Sequence, residues 1–95
     1  MANRQYTKGI YYERRTIALC LSMGAVDARR TAGSHGAYDV IAIFPDHVKL
    51  IQVKSGRARD DGKLARLEVP PGIVKEMWKF DARARSHTVI TIPST

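Results

Sequence analysis

The chain has one cysteine, Cys20, in 95 residues. That excludes an intrachain disulfide framework and a cysteine-based zinc cluster within one chain. Cys20 is expected to be a small buried hydrophobe. Long apolar runs are missing too: the longest, such as 40–45, fall far short of a bilayer span, so no membrane segment is expected. Residues 1–8 are polar and contain no apolar signal core, so secretion is not expected. The expected location is cytoplasmic, that is, intracellular and nucleoid-associated, or the host cytoplasm for a viral protein. Internal repeats and low-complexity tracts are absent. Acidic residues are scarce: 9 Asp+Glu face 16 Lys+Arg, a formal charge of +7.

That charge names a class of partner and no activity. Excess Lys and Arg attracts polyanions and strengthens nucleic-acid binding through counterion release. An acidic membrane surface is the weaker candidate, because no stretch pairs a basic face with a broad lipid-seeking apolar face. A hydrophobic fraction of 44% is ordinary for a folded domain and argues against a disordered basic tail. The length suits one small domain, residues 1–95, with little room for separate binding and catalytic cores.

The local patterns give an order of elements. Ile10, Ile17 and Leu21, with Arg14 and Ala18 between them, recur near helical spacing over 7–23, with Thr7 as a cap and Gly24 as a stop. Residues 25–31 read as a short basic strand, and 32–37 as a small-residue loop holding Ser34 and His35. The clearest signal is 39–44 and 48–54, two β-rich runs around Pro45-Asp46-His47 that read as an antiparallel hairpin covered on both faces. Residues 55–66 read as a polar basic loop or flap. Pro70-Pro71 fits a helix start, followed by Ile73, Val74, Met77, Trp78 and Phe80 at helical spacing. Residues 88–92 form a final strand. The expected fold is therefore α/β, in the order α-β-β-β-α-β, with a small mixed sheet flanked by helices.

The hairpin also carries the candidate chemistry. Gln52 and Lys54 are two apart on a strand and share a face. A two-residue turn at Pro45-Asp46 sets Asp39 opposite Gln52, and one at Asp46-His47 sets it opposite Lys54. Either register puts the three groups on one face, whereas a three-residue turn without a bulge would separate them. A carboxylate, an amide oxygen and an ammonium at the end of a rigid hairpin suit metal-assisted phosphodiester hydrolysis. Magnesium takes oxygen ligands, keeps several waters and needs only one or two carboxylates plus substrate phosphate. Glu13, on the first helix, is a second carboxylate candidate. Arg29 and Arg30 precede the loop, and Arg57, Arg59, Lys63 and Arg66 follow Lys54. These basic runs bracket the candidate site and are expected to track DNA phosphates without reading bases.

Gly9…Glu13-Arg14, then Ala32-Gly33-Ser34…Asp39-Val-Ile-Ala-Ile, then Leu50-Ile-Gln-Val-Lys54-Ser resembles the archaeal-type Holliday-junction resolvases of the PD-(D/E)XK nuclease superfamily. The likeness covers about two-thirds of the chain in motif order. It implies a restriction-endonuclease-like core, with Glu13 and Asp39 as metal-site carboxylates and Lys54 as the catalytic lysine. It also implies that Ser34 lies near the scissile phosphate. Gln52 stands where the family usually has Glu; its oxygen still ligates a cation but adds no negative charge, which lowers metal affinity. The resemblance further implies Mg²⁺ as cofactor, with Mn²⁺ substituting. The partner it implies is a four-way junction or other branched DNA, nicked in pairs by a homodimer. The expected dimer interface is the second helix around Met77 and Trp78, or part of the hairpin; Val74, Met77 and Trp78 themselves are expected to be core residues or dimer contacts. Two other readings stand beside it: a non-catalytic branched-DNA-binding module on the same scaffold, and a flap or duplex nuclease of the same superfamily.

Overall fold

The computed structural model describes residues 4–31, 36–56, 62–81, 83 and 86–93. A helix, α1 (Arg4–Ser22), precedes three strands, β1 (Asp27–Arg30), β2 (Val40–Ile43) and β3 (Val48–Ser55). A single helical turn, α2 (Lys63–Arg66), leads to β4 (Ile73–Asp81) and β5 (Ser86–Ile92). The strands form one mixed sheet in the order β1-β2-β3-β4-β5. The first three make an antiparallel meander, β4 runs parallel to β3 after the crossover that carries α2, and β5 returns antiparallel.

α1 forms because Tyr12, Thr16 and Cys20, four apart, make one buried stripe. Thr16 sits in it without an orphaned hydroxyl, since its Oγ1 donates to the Tyr12 carbonyl at 2.8 Å. The helix starts at Arg4, ahead of the cap expected at Thr7. It ends at Gly24, whose φ of 108° lies in the region glycine favours. The Ala25 N–H then closes on the Cys20 carbonyl at 3.0 Å, the 6→1 bond of a Schellman end. The Cys20 thiol is fully buried, and that burial pushes its pKa up to about 11, so it is a packing group and not a nucleophile.

Strand alternation gives the sheet two apolar faces. On the α1 side, Tyr12, Cys20, Ala28, Val40, Ala42, Ile51, Trp78 and Phe80 form one core. On the other side, Leu50, Met77 and Ile92 pack with Leu64 of α2. Lys75 is buried on that second side, where its Nζ donates to the carbonyls of Ala65 (3.2 Å) and Leu67 (2.9 Å). A single helical turn leaves its last carbonyls without internal partners, and Lys75 fills that role while tying the crossover to the sheet.

The structure corrects the expected second helix. Residues 73–81 are strand β4, and the helical turn in the crossover comes earlier, at Lys63–Arg66, inside the stretch expected to be a loop. The sequence order gains a strand and becomes α-β-β-β-α-β-β. The cause is visible at 70–73: Gly72 takes φ 93°, and the Val48 N–H bonds the Gly72 carbonyl at 3.0 Å. Pro70-Pro71-Gly72 is thus a turn that delivers the chain to the open edge of β3. Met77 and Trp78 are 7% and 0% exposed within the sheet, so of the two roles expected of them, core or dimer contact, the structure gives them the core.

Candidate active site

The hairpin turn takes two residues, Pro45-Asp46, closed by the Phe44 N–H on the His47 carbonyl at 2.8 Å. The Phe44 and His47 rings stack at 4.6 Å. His47 also bonds the exposed Asp46 carboxylate at 2.7 Å, which holds that carboxyl below its ordinary pKa. β2 and β3 pair with Ile43 opposite Val48 and Val40 opposite Ile51. Carried one residue further, this register sets Asp39 opposite Gln52, the first of the two arrangements the sequence allowed.

Asp39 is attached to β3 twice. Its N–H donates to the Ile51 carbonyl at 2.8 Å, and its Oδ2 accepts the Val53 N–H at 2.8 Å. Inter-strand N–H groups point along the hydrogen-bonding direction of the sheet. The carboxylate is therefore held near the sheet plane, against the backbone between Gln52 and Lys54. Gln52 and Lys54 project on the α2 side: Ile51 and Val53 pack toward α1, whereas Leu50 and Met77, the β4 partner of Gln52, pack with Leu64. Gln52 is 4% exposed and Lys54 half-buried.

Glu13 faces the sheet from α1, and its Oε1 accepts from Arg30 Nε at 2.9 Å. Arg30 pairs across from Val40, an α1-side residue. Glu13 is thus seen engaged by Arg30 on the α1 side, while Gln52 and Lys54 project from the other. Arg29, opposite Ile41, lies on the Lys54 side and pairs with its neighbour Asp27 at 2.9 Å. Lys63 and Arg66 are exposed on α2, whose Leu64 packs on that same side. Ser34, His35, Arg57 and Arg59 lie outside the described residues.

Asp39 and Gln52 bring two hard oxygen donors to adjacent hairpin positions, the donor type that magnesium takes when water and a substrate phosphate complete its shell. Among the described residues no three His, Cys, Asp or Glu side chains gather into a metal-binding group. These hairpin positions carry one carboxylate and one amide oxygen, and no carboxylate cage stands among the described residues.

Two features escaped the sequence reading. Lys79, read as helical, is a strand residue directly beside Lys54. Glu76 is buried on the α1 side, with its Oε2 3.2 Å from Lys49 Nζ and its Oε1 accepting the Trp78 indole N–H at 3.0 Å. Reading 73–81 with period two would have found both.

No protein-family model matches the chain, and no curated protein matches it. Among the described residues no helix is long and apolar enough to cross a membrane.

Proposed function

We propose that this chain is a structure-selective DNA endonuclease with a restriction-endonuclease-like core, which resolves four-way junctions by metal-dependent phosphodiester hydrolysis. The observation that carries the reading is the seating of the Asp39 carboxylate on the Val53 N–H, between Gln52 and Lys54. It joins a carboxylate, an amide and an ammonium on one rigid hairpin. The three-stranded meander followed by a parallel crossover supports it, being the part of the expected element order that positions such a hairpin. Arg29, Lys54, Lys63 and Arg66 add basic groups on one side of the sheet.

Asp39 and Gln52 would hold a magnesium ion, which when bound would supply positive charge to the phosphate and acidify a water. The Lys54 ammonium hydrogen-bonds the attacking water or a non-bridging oxygen, offsetting charge as it grows in the transition state. The water gives up a proton to solvent as its oxygen bonds to phosphorus, the phosphorus–oxygen bond to the leaving sugar breaks, and solvent delivers a proton to that sugar oxygen. Two opposed nicks need two sites, hence two copies related by a two-fold axis.

A second reading, a DNA-binding module without activity, is favoured by the Arg30–Glu13 pair, which occupies one of the expected metal carboxylates. Incubation of the purified protein with a synthetic four-way junction and Mg²⁺ separates the two. Symmetric nicking supports the nuclease, whereas binding without cleavage in both Mg²⁺ and Mn²⁺ supports the module.

Gln52→Glu gives an independent check on the metal site. A carboxylate at a 4% exposed position destabilises the protein unless a cation neutralises it. The variant should melt lower than the parent in chelator and recover on adding Mg²⁺. Its Mg²⁺ affinity should rise about tenfold, the effect of one added charge near a dication at high effective dielectric. A melting temperature indifferent to Mg²⁺ sinks the metal assignment.

A further inference from the structure

We propose that Lys79 forms, with Lys54, a second phosphate-binding position beside the reaction centre, and that Thr88 extends it. The ligand is a backbone phosphate of the bound nucleic acid adjacent to the one cleaved, so the inference rests on the nucleic-acid reading above.

The register places Lys54, Lys79 and Thr88 in one row across β3, β4 and β5. Cross-strand partners share a face, and Met77, two residues before Lys79, packs with Leu50 on the α2 side. Lys79 therefore projects on the same side as Lys54. Neighbouring strands are roughly 4.8 Å apart, so the two lysine stems leave the sheet one strand spacing from each other.

Like charges directly opposite on adjacent strands repel and destabilise the pairing. Neither Lys54 nor Lys79 has a carboxylate at ion-pair distance among the described residues, and Asp39, the acid beside Lys54, has its Oδ2 on the Val53 N–H. The acid nearest along β4, Asp81, accepts the Arg83 N–H at 3.0 Å through Oδ1, in the turn toward β5. Other cations of the sheet are placed differently: Arg30 and Lys49 on the α1 side meet Glu13 and Glu76, and Arg29 on the Lys54 side meets Asp27. Lys54 and Lys79 instead stand side by side, next to Gln52. An anion lying between the ammoniums converts their repulsion into two attractions, and a phosphodiester oxygen supplies it. Thr88, exposed on β5, adds a hydroxyl donor in the same row.

The test is equilibrium binding of a synthetic four-way DNA junction in EDTA from 50 to 200 mM salt, for the full chain and for Lys79→Ala, Lys79→Arg and Thr88→Val. Each lost phosphate contact lowers the slope of log K against log salt by about 0.9. Lys79→Ala should therefore flatten the slope by about one and weaken binding most at low salt, while Lys79→Arg restores both. Thr88→Val should weaken binding without changing the slope. A Lys79→Ala slope and affinity equal to the parent's overturns the proposal, even if the parent cleaves junctions in Mg²⁺. A flattened slope in a protein that never cleaves upholds Lys79 and removes the nuclease reading. A parent that binds no DNA overturns both.

Discussion

Asp39→Asn should slow junction cleavage by about two to three orders of magnitude while leaving the fold and junction binding in place. Asparagine keeps a carbonyl oxygen where Asp39 Oδ2 accepts the Val53 N–H, so the end of the β2–β3 ladder stays closed. What it removes is the negative charge next to Gln52 and Lys54. If that charge helps to hold the dication, the cleavage rate falls by about two to three orders of magnitude, the scale of losing one preorganised electrostatic partner. Asp39→Ala is a poorer probe. It strands a half-buried N–H and costs about 1–3 kcal/mol, mixing a structural defect with a catalytic one. Single-turnover cleavage of a four-way junction, run beside circular dichroism and a binding titration in EDTA, reads the three properties separately. Cleavage by Asp39→Asn at the parent's rate reduces Asp39 to a strand-end cap and removes the basis of the nuclease reading.

The hairpin was legible because its information is local. Two β-branched runs around Pro45-Asp46-His47 mark a hairpin and narrow the partner of Asp39 to Gln52 or Lys54; the observed pairing selects Gln52. The first helix was legible for the same reason, with Gly24 marking its end, but its buried face was not: Leu21 is exposed, and the buried stripe is Tyr12, Thr16 and Cys20. Strand β4 was not. Ile73, Val74, Met77, Trp78 and Phe80 satisfy a helical period as well as a strand buried on both faces, and Pro70-Pro71 is as good a helix start as a turn. Pairing with the open edge of β3, which local propensity does not encode, settled it. The charged residues told the same story. Lys75 and Glu76 look like a solvated face on a helix, yet both are buried. Lys79 had no reason to be noticed until β4 put it beside Lys54. The position of Glu13 on the first helix was readable, but its ion pair with Arg30 depends on how α1 crosses the meander, and sequence spacing does not fix that.

Glu76→Ala should be the most destabilising single change in the described core. Glu76 is 6% exposed and serves two partners, Lys49 and the Trp78 indole. Its removal leaves a largely buried ammonium without its counter-charge, which costs about 3–5 kcal/mol. Lys49 keeps only its approach to the Phe44 ring, 5.1 Å from the centroid, a weaker form of compensation. A domain of this size has a total stability of about 5–15 kcal/mol, so the variant should sit near the edge of unfolding. The single tryptophan is itself a bonded partner, so urea denaturation followed by its fluorescence measures the loss directly. Lys49→Met combined with Glu76→Gln should recover most of the stability, because no buried charge is left unpaired and the amide oxygen still accepts the Trp78 indole N–H. The pair lies on the α1 side, away from Lys54, so the double variant should also bind junction DNA with the parent's salt dependence. A Glu76→Ala loss below about 1 kcal/mol, the range of an exposed ion pair, shows instead that water reaches Lys49 and Glu76 and that the α1 side is more open than its packing indicates.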